Sequence, residues 1–200
     1  MNAPDRTTTP TIGAPFEGGY FAGIICTGDA THALIVSPIA GDLPPAIWLP
    51  ARKQVKGAPR FNDGYANTNA MALAGSKLAE AVLELDIGGF TDWYLPARDE
   101  LELLYRHFKP TDEMTWVLRH GDNPSSVPTG YPYAPDHPQT AVENFRQGGA
   151  DALQDVAYWS STLDAPAPAC AWAQHFANGT QSLWRHLNEF RARAVRRLPI

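Results

Sequence analysis

The sequence is poor in the residues that announce a catalytic or metal centre. Only two of its 200 residues are cysteine, Cys26 and Cys170. They form no CxxC pair and belong to no Cys/His cluster, so no zinc or other metal site is expected. Both lie in apolar, strand-like runs, where a small structural thiol is the simpler reading. The six histidines (His32, His107, His120, His137, His175 and His186) are scattered, with no HExxH spacing. There is no GxSxG elbow and no Walker-type phosphate loop, because the glycines from Gly13 to Gly19 lack a Lys-Ser/Thr partner. These gaps lead to the expectation of a chain that is not an enzyme and carries no cofactor. No apolar run approaches the roughly 20 residues of a membrane span, so membrane insertion is not expected. The opening MNAPDRTTTPTIGAP lacks the apolar core of a secretory signal. Synthesis in the cytoplasm is therefore expected, with any action outside the cell reached by lysis or by a signal-independent route. A disulfide between Cys26 and Cys170 has no support without export.

Charge is also modest. Net charge is −5, from 16 Lys+Arg against 21 Asp+Glu, which argues against nucleic acid as a partner. The basic residues crowd the end of the chain, at Arg185, Arg191, Arg193, Arg196 and Arg197.

Proline and glycine are what the sequence has in quantity, with 18 and 16 residues. They predict a loop-rich fold of short elements. Residues 1–15 read as a flexible leader, and residues 16–200 as one domain. Within it, 16–60 hold an N-terminal hairpin and loop, the strands Tyr20–Cys26 and Ala33–Ser37 flanking a Gly28-Asp29 turn. A long loop with a short run at Ile47–Leu49 follows. Apolar residues at Met71, Ala74, Leu78, Ala81, Val82 and Leu85 predict one helix capped by Asn67, Thr68 or Asn69 and ended by Gly88-Gly89. A second helix is predicted over Arg98–Phe108, with Asp99 and Glu100 in its first turn. Six prolines between residues 110 and 138 mark a long irregular insertion, and a weaker helix is expected over Pro138–Arg146. From Ala157 the pattern turns to strands: Tyr158–Thr162, Cys170–Phe176, Gln181–Trp184 and Phe190–Arg196, with Asn178-Gly179 as a hairpin turn. Strands at both ends with helices between them predict an α+β fold whose termini pair in one sheet.

Five blocks occur in order: Gly89-Phe90-Thr91-Asp92-Trp93-Tyr94-Leu95-Pro96 with Asp99-Glu100-Leu101; Tyr158-Trp159-Ser160-Ser161-Thr162; Ala171-Trp172; Phe176-Ala177-Asn178-Gly179; and Arg193-Ala194-Val195-Arg196-Arg197. Together they resemble the Lcl C-terminal-domain family, over about residues 60–200. The resemblance implies a C-type-lectin-like fold, akin to the formylglycine-generating enzyme and to the variable proteins of diversity-generating retroelements. In such variable proteins the last strands and loops contact a ligand. Calcium-dependent sugar binding is disfavoured, since neither a Glu-Pro-Asn or Gln-Pro-Asp triplet nor Trp-Asn-Asp is present.

Trp93, Trp159 and Trp172 are expected as core anchors. Asp92 and Asp99 are expected to accept hydrogen bonds from Arg193 or Arg196 and so fix the terminal strand. The candidate ligand surface is the stretch Gln174–Phe190, through His175, Asn178, Thr180, Ser182, Trp184, Arg185, His186 and Asn188, a set rich in hydrogen-bonding and amphipathic side chains. Adenine-directed diversification of Asn codons reaches Thr180, Ser182, His186 and Asn188, but not Trp184. The expected partner is a protein or glycan on a cell surface, in the setting of a phage tail or prophage receptor-binding protein. An oligomer is left open, as are a role as an enzyme or accessory domain like the formylglycine-generating enzyme and a purely structural virion role.

Overall fold

The computed structural model describes residues 9–51, 53–115 and 121–200. It is α+β, with three α-helices packed against two sheets. The first sheet contains β1 (Pro15–Phe16), β2 (Gly19–Thr27), β3 (Ala30–Val36) and β10 (Val195–Pro199), in that order. A short β5 (Ser126–Val127) shares the outer edge of β2 with β1. The second sheet has the order β4 (Asp42–Ile47), β9 (Glu189–Arg193), β6 (Ala157–Leu163), β7 (Cys170–His175), β8 (Gln181–Arg185). The β6–β9 pair is parallel, and the other pairs are antiparallel.

The C-terminal strand pairs with the N-terminal hairpin, Val195 opposite Val36 through Pro199 opposite His32. The single strand expected over Phe190–Arg196 is in fact two. The chain leaves the second sheet after Arg193 and enters the first at Val195, so Ala194 is the joint. Ala194 is fully buried, and its amide donates to the Gly41 carbonyl (2.8 Å). A larger side chain there would separate the sheets.

Other boundaries differ for local reasons. Within the span expected as a leader, residues 12–14 are tied to the fold. The Gly13 amide donates to the Phe21 carbonyl and the Phe21 amide to Ala14, while Ile12 packs on the core. Residues 1–8 lie outside the described residues. The strand in the Gly41–Gly64 region runs through Pro44 and Pro45, before the Ile47–Leu49 run. It tolerates them because it is an edge strand whose register breaks between Leu43 and Ala46. The expected first helix is two, α1 (Gly64–Leu73) and α2 (Lys77–Leu83). Between them Gly75 adopts φ +93°, which a side chain resists, and Ser76 caps α2 by accepting from the Ala79 amide.

The true cap of α1 is Asp63, which accepts from the Ala66 amide. Asn67 and Thr68 are buried inside the helix, where Asn67 donates to the Arg60 carbonyl and Thr68 accepts from the Leu95 amide. The expected stripe holds at Met71, Leu78 and Val82, but Ala81 is exposed and Ala79 takes its place. The second expected helix is present as α3 (Arg98–Phe108), with Leu101, Leu104, Tyr105 and Phe108 buried. Pro138–Arg146 contains only a single 3₁₀ turn, Glu143–Phe145.

Two clusters form the core. One joins α1 and α2 to the second sheet around Trp48, Trp93 and Trp159. The other packs α3 between the sheets around Tyr94, Tyr158 and Phe176. Trp48, Trp93 and Trp159 are fully buried. Each indole N–H donates to a carbonyl: of Ser160, Phe90 and Ala46 respectively. At about 200 Å² apiece, each contributes on the order of 5 kcal/mol of burial. Trp172 is only half-buried, so the third anchor is Trp48 and not Trp172.

The arginine pairings divide. Arg196 forms a fork with Asp92 (2.6 and 2.9 Å), donates to the Glu17 carbonyl and lies over the Phe90 ring. Arg193 turns instead to the Ser37, Asp151 and Ala152 carbonyls, with Asp42 at 3.7 Å. Asp99 does not reach either arginine and accepts from the Ser125 hydroxyl. The two cysteines are free thiols.

Candidate functional site

The β7–β8 hairpin reverses through Phe176–Gly179. The His175 amide donates to the Thr180 carbonyl (2.9 Å) and the Gly179 amide to the His175 carbonyl (2.8 Å). Gly179 has φ +77°, and a Cβ there would meet the Tyr105 ring at 2.8 Å. The turn is therefore fixed both by conformation and by the α3 side chain beneath it. Register places Ala173 opposite Ser182 and Ala171 opposite Trp184, so these side chains share one face. Trp172, Leu183 and Arg185 occupy the other.

On the first face the sheet opens into a cavity of about 620 Å³. Two small residues, Ala157 and Ala173, hollow its floor, and Trp184 and Phe190 stand beside them. Their rings meet edge to face (5.3 Å, 86°), and the Trp184 indole N–H donates to Ser182 Oγ (2.7 Å), which fixes its orientation. His175, Asn178, Thr180 and Ser182 supply hydrogen-bonding groups on one side; Gln154, Glu189 and Arg191 supply them on the other. The Ala177 amide donates to His175 Nδ1 (3.3 Å), leaving Nε2–H as the ring's donor. Arg191 is held by Asp42 (2.7 Å), whereas the Glu189 side chain, on a residue whose backbone pairs with Ile47, has no ion-pair partner among the described residues. Pro45 and Val156 close the apolar lining.

Of the eight candidate ligand residues, His175, Asn178, Thr180, Ser182 and Trp184 line this cavity, and Arg185, His186 and Asn188 do not. Arg185 is exposed on the opposite face of the sheet, as the alternation of β8 requires. His186 is fully buried. Its ring stacks on Trp48 (4.5 Å, 25°), its Nδ1 meets the Ala51 carbonyl (3.2 Å), and burial pushes its pKa down. It belongs to the core, since a neutral, stacked imidazole at a strand end fills space as an aromatic does. Asn188 lies in the turn before β9, its amide donating to the Arg185 carbonyl (2.9 Å).

Gln154, Val156, Ala157 and Pro45 come from parts of the chain that no local pattern links to the hairpin. Only the β4–β9–β6–β7 strand order brings them together. No described residue of the 121–138 loop lines the cavity. That loop serves α3 instead: Asn123 and Tyr133 donate to Glu102, which also pairs with Arg106. Among the described residues, no group of three or more His, Cys, Asp or Glu side chains could hold a metal ion. No helix among them is long and apolar enough to cross a membrane.

No curated protein matches the chain. Among solved structures, it is similar to a fimbrial protein from Bacteroides ovatus ATCC 8483, at 13% identity and a TM-score of 0.45. The match covers 84% of this chain but 36% of that protein, and at this distance it carries nothing about function. The family model for the Lcl C-terminal domain matches residues 47–196. That span runs from β4 to the middle of β10. It takes in the Gly89–Pro96 link, β6, the β7–β8 hairpin and the β9–β10 joint, where the five sequence blocks lie. The chain therefore belongs to the Lcl C-terminal domain family.

Proposed function

We propose that this is a non-enzymatic ligand-binding domain of C-type-lectin-like design, which captures a glycan or protein displayed on a cell surface. The carrying observation is the cavity itself. Side chains from β7, β8, β9 and their hairpin converge on one open concavity whose polar groups make few of the contacts that hold the fold. A half-exposed indole beside an array of short polar side chains is a recognition surface, because it supplies contact area at little conformational cost. Placement on a phage tail or other receptor-binding assembly, and kinship with retroelement-diversified variable proteins, belong to the same proposal. Both rest on the resemblance of the sequence blocks.

The test is adhesion to host cells or a glycan array by a variant with Asn178, Thr180, Ser182 and Trp184 all changed to Ala. His186 and Gly179 are kept because they hold the fold. Loss of binding with unchanged near-ultraviolet circular dichroism is expected. Normal binding by the folded variant refutes the site.

A second reading, a structural virion component, is favoured by one feature. β8 is an edge strand on which Leu183, Trp184 and Arg185 are all exposed, which is suited to packing against a neighbour. Concentration-dependent association lost in Leu183→Lys would support it.

A further inference from the structure

The cavity's own chemistry narrows the ligand. Trp184 and Phe190 meet edge to face at 86°, Phe190 is backed by Trp159 (4.6 Å), and the half-exposed indole makes a right-angled aromatic corner with it, held in that pose by the Ser182 hydroxyl. Aromatic faces attract cations through their quadrupole. The corner carries one unpaired charge of the sign a cation requires. Glu189 is an exposed carboxylate with no ion-pair partner among the described residues, while the guanidinium in the lining, Arg191, is paired with Asp42, which it shares with the buried Arg193. The Ala157, Ala173, Val156 and Pro45 side chains in the lining are apolar, which suits methyl groups on the nitrogen better than the N–H groups of a primary ammonium.

Resting on the binding role proposed above, we infer that the Trp184–Phe190–Glu189 corner receives a methylated ammonium group carried by the ligand. Such a group needs no hydrogen-bond acceptors, gains from both rings and from Glu189, and leaves the rest of the cavity, about 620 Å³ in all, for the molecule that bears it.

The experiment titrates the full chain by calorimetry with choline, ethanolamine and 3,3-dimethylbutanol, the last a neutral shape-match of choline. The Trp184 indole ¹H–¹⁵N resonance is followed in parallel. Choline is expected to saturate the site and to bind about tenfold more tightly than the neutral analogue, with ethanolamine in between. Trp184→Ala should remove the interaction, and Glu189→Gln should weaken it severalfold while the fold is unchanged.

Equal affinity for choline and 3,3-dimethylbutanol overturns the cation assignment, and equal affinity for ethanolamine overturns the methylated one. Phosphocholine and a trimethyl-lysine peptide then distinguish a headgroup from a protein source. If choline does not saturate but Trp184→Ala still abolishes adhesion to cells, the cation inference falls and the binding cavity stands. If Trp184→Ala changes neither, both fall.

Discussion

Glu100 makes the stability of this domain depend on pH in an unusual direction. It lies in the first turn of α3 and is fully buried. Its Oε2 accepts from the amides of Ala97 (2.7 Å) and Gly64 (3.1 Å), and its Oε1 from the Tyr94 hydroxyl (2.8 Å), with Arg197 at 3.8 Å. One carboxyl thus joins the starts of α1 and α3 to the Gly89–Pro96 link. Burial pushes its pKa from 4.5 to about 7, against the opposing pull of the Ala97 amide, Arg197 and Tyr94. The folded value lies above the unfolded one, so between them the folded state retains a proton that the unfolded chain releases. Its contribution is fully present below pH 4.5 and lost as pH rises through about 7. At 1.36 kcal/mol per unit, that loss is about 3 kcal/mol. Asp99, raised from 3.8 to about 6 chiefly by burial, adds a loss of the same sign at lower pH.

Glu100→Gln isolates the effect. The amide oxygen still accepts from Ala97 and Gly64, but nothing titrates. Urea unfolding of both proteins at pH 5 and pH 8 gives a difference of differences in which every other titration cancels. The wild type is expected to lose about 2–3 kcal/mol more than the variant over that interval. Parallel losses, or a wild type that gains stability toward pH 8 relative to the variant, would show that the Glu100 charge is well compensated and the reasoning wrong.

Arg196→Ala removes a buried guanidinium that forks to Asp92 and covers Phe90, and should cost about 3 kcal/mol by urea unfolding; Arg196→Lys should restore less than half of it, because an ammonium cannot fork. His186→Ala leaves a void against Trp48 and should cost about 2 kcal/mol without touching the cavity, whereas Trp184→Ala should cost under about 1 kcal/mol, its indole being 42% exposed. Gly75→Ala meets no neighbouring atom, so the loss of about 1 kcal/mol expected in thermal melts is pure backbone strain at φ +93°.

The parts of the fold legible in the sequence are those that chain neighbours decide. Gly28-Asp29 closes the first hairpin, and Arg98–Phe108 is helical to the residue, because turn chemistry and a 3.6-residue stripe act over a few positions. The divided helix shows the limit. The apolar stripe from Met71 to Leu85 reads as one helix, and only Gly75 and the Ser76 cap reveal two. Pro44 and Pro45 look incompatible with a strand until β4 is known to be an edge. The split of Phe190–Arg196 at Ala194 is invisible, since both halves are extended and only their partners differ.

The site divides along the same line. His175, Asn178, Thr180, Ser182 and Trp184 were reachable because one hairpin presents them on one face. Arg185 lies away from the cavity for a reason the sequence does contain: strand alternation from Trp184 sends it to the opposite face. His186 lies in the core, outside the cavity lining, for a reason the sequence does not contain. Its place is set by Trp48, far back in the chain, whose amide donates to the His186 carbonyl (2.9 Å) while the rings stack. A polar residue in a hairpin is thus surface or core according to what the second strand meets beyond the turn. The same long-range pairing lifts Trp184 beside Phe190 and makes a cavity from what, read alone, is a row of small polar residues.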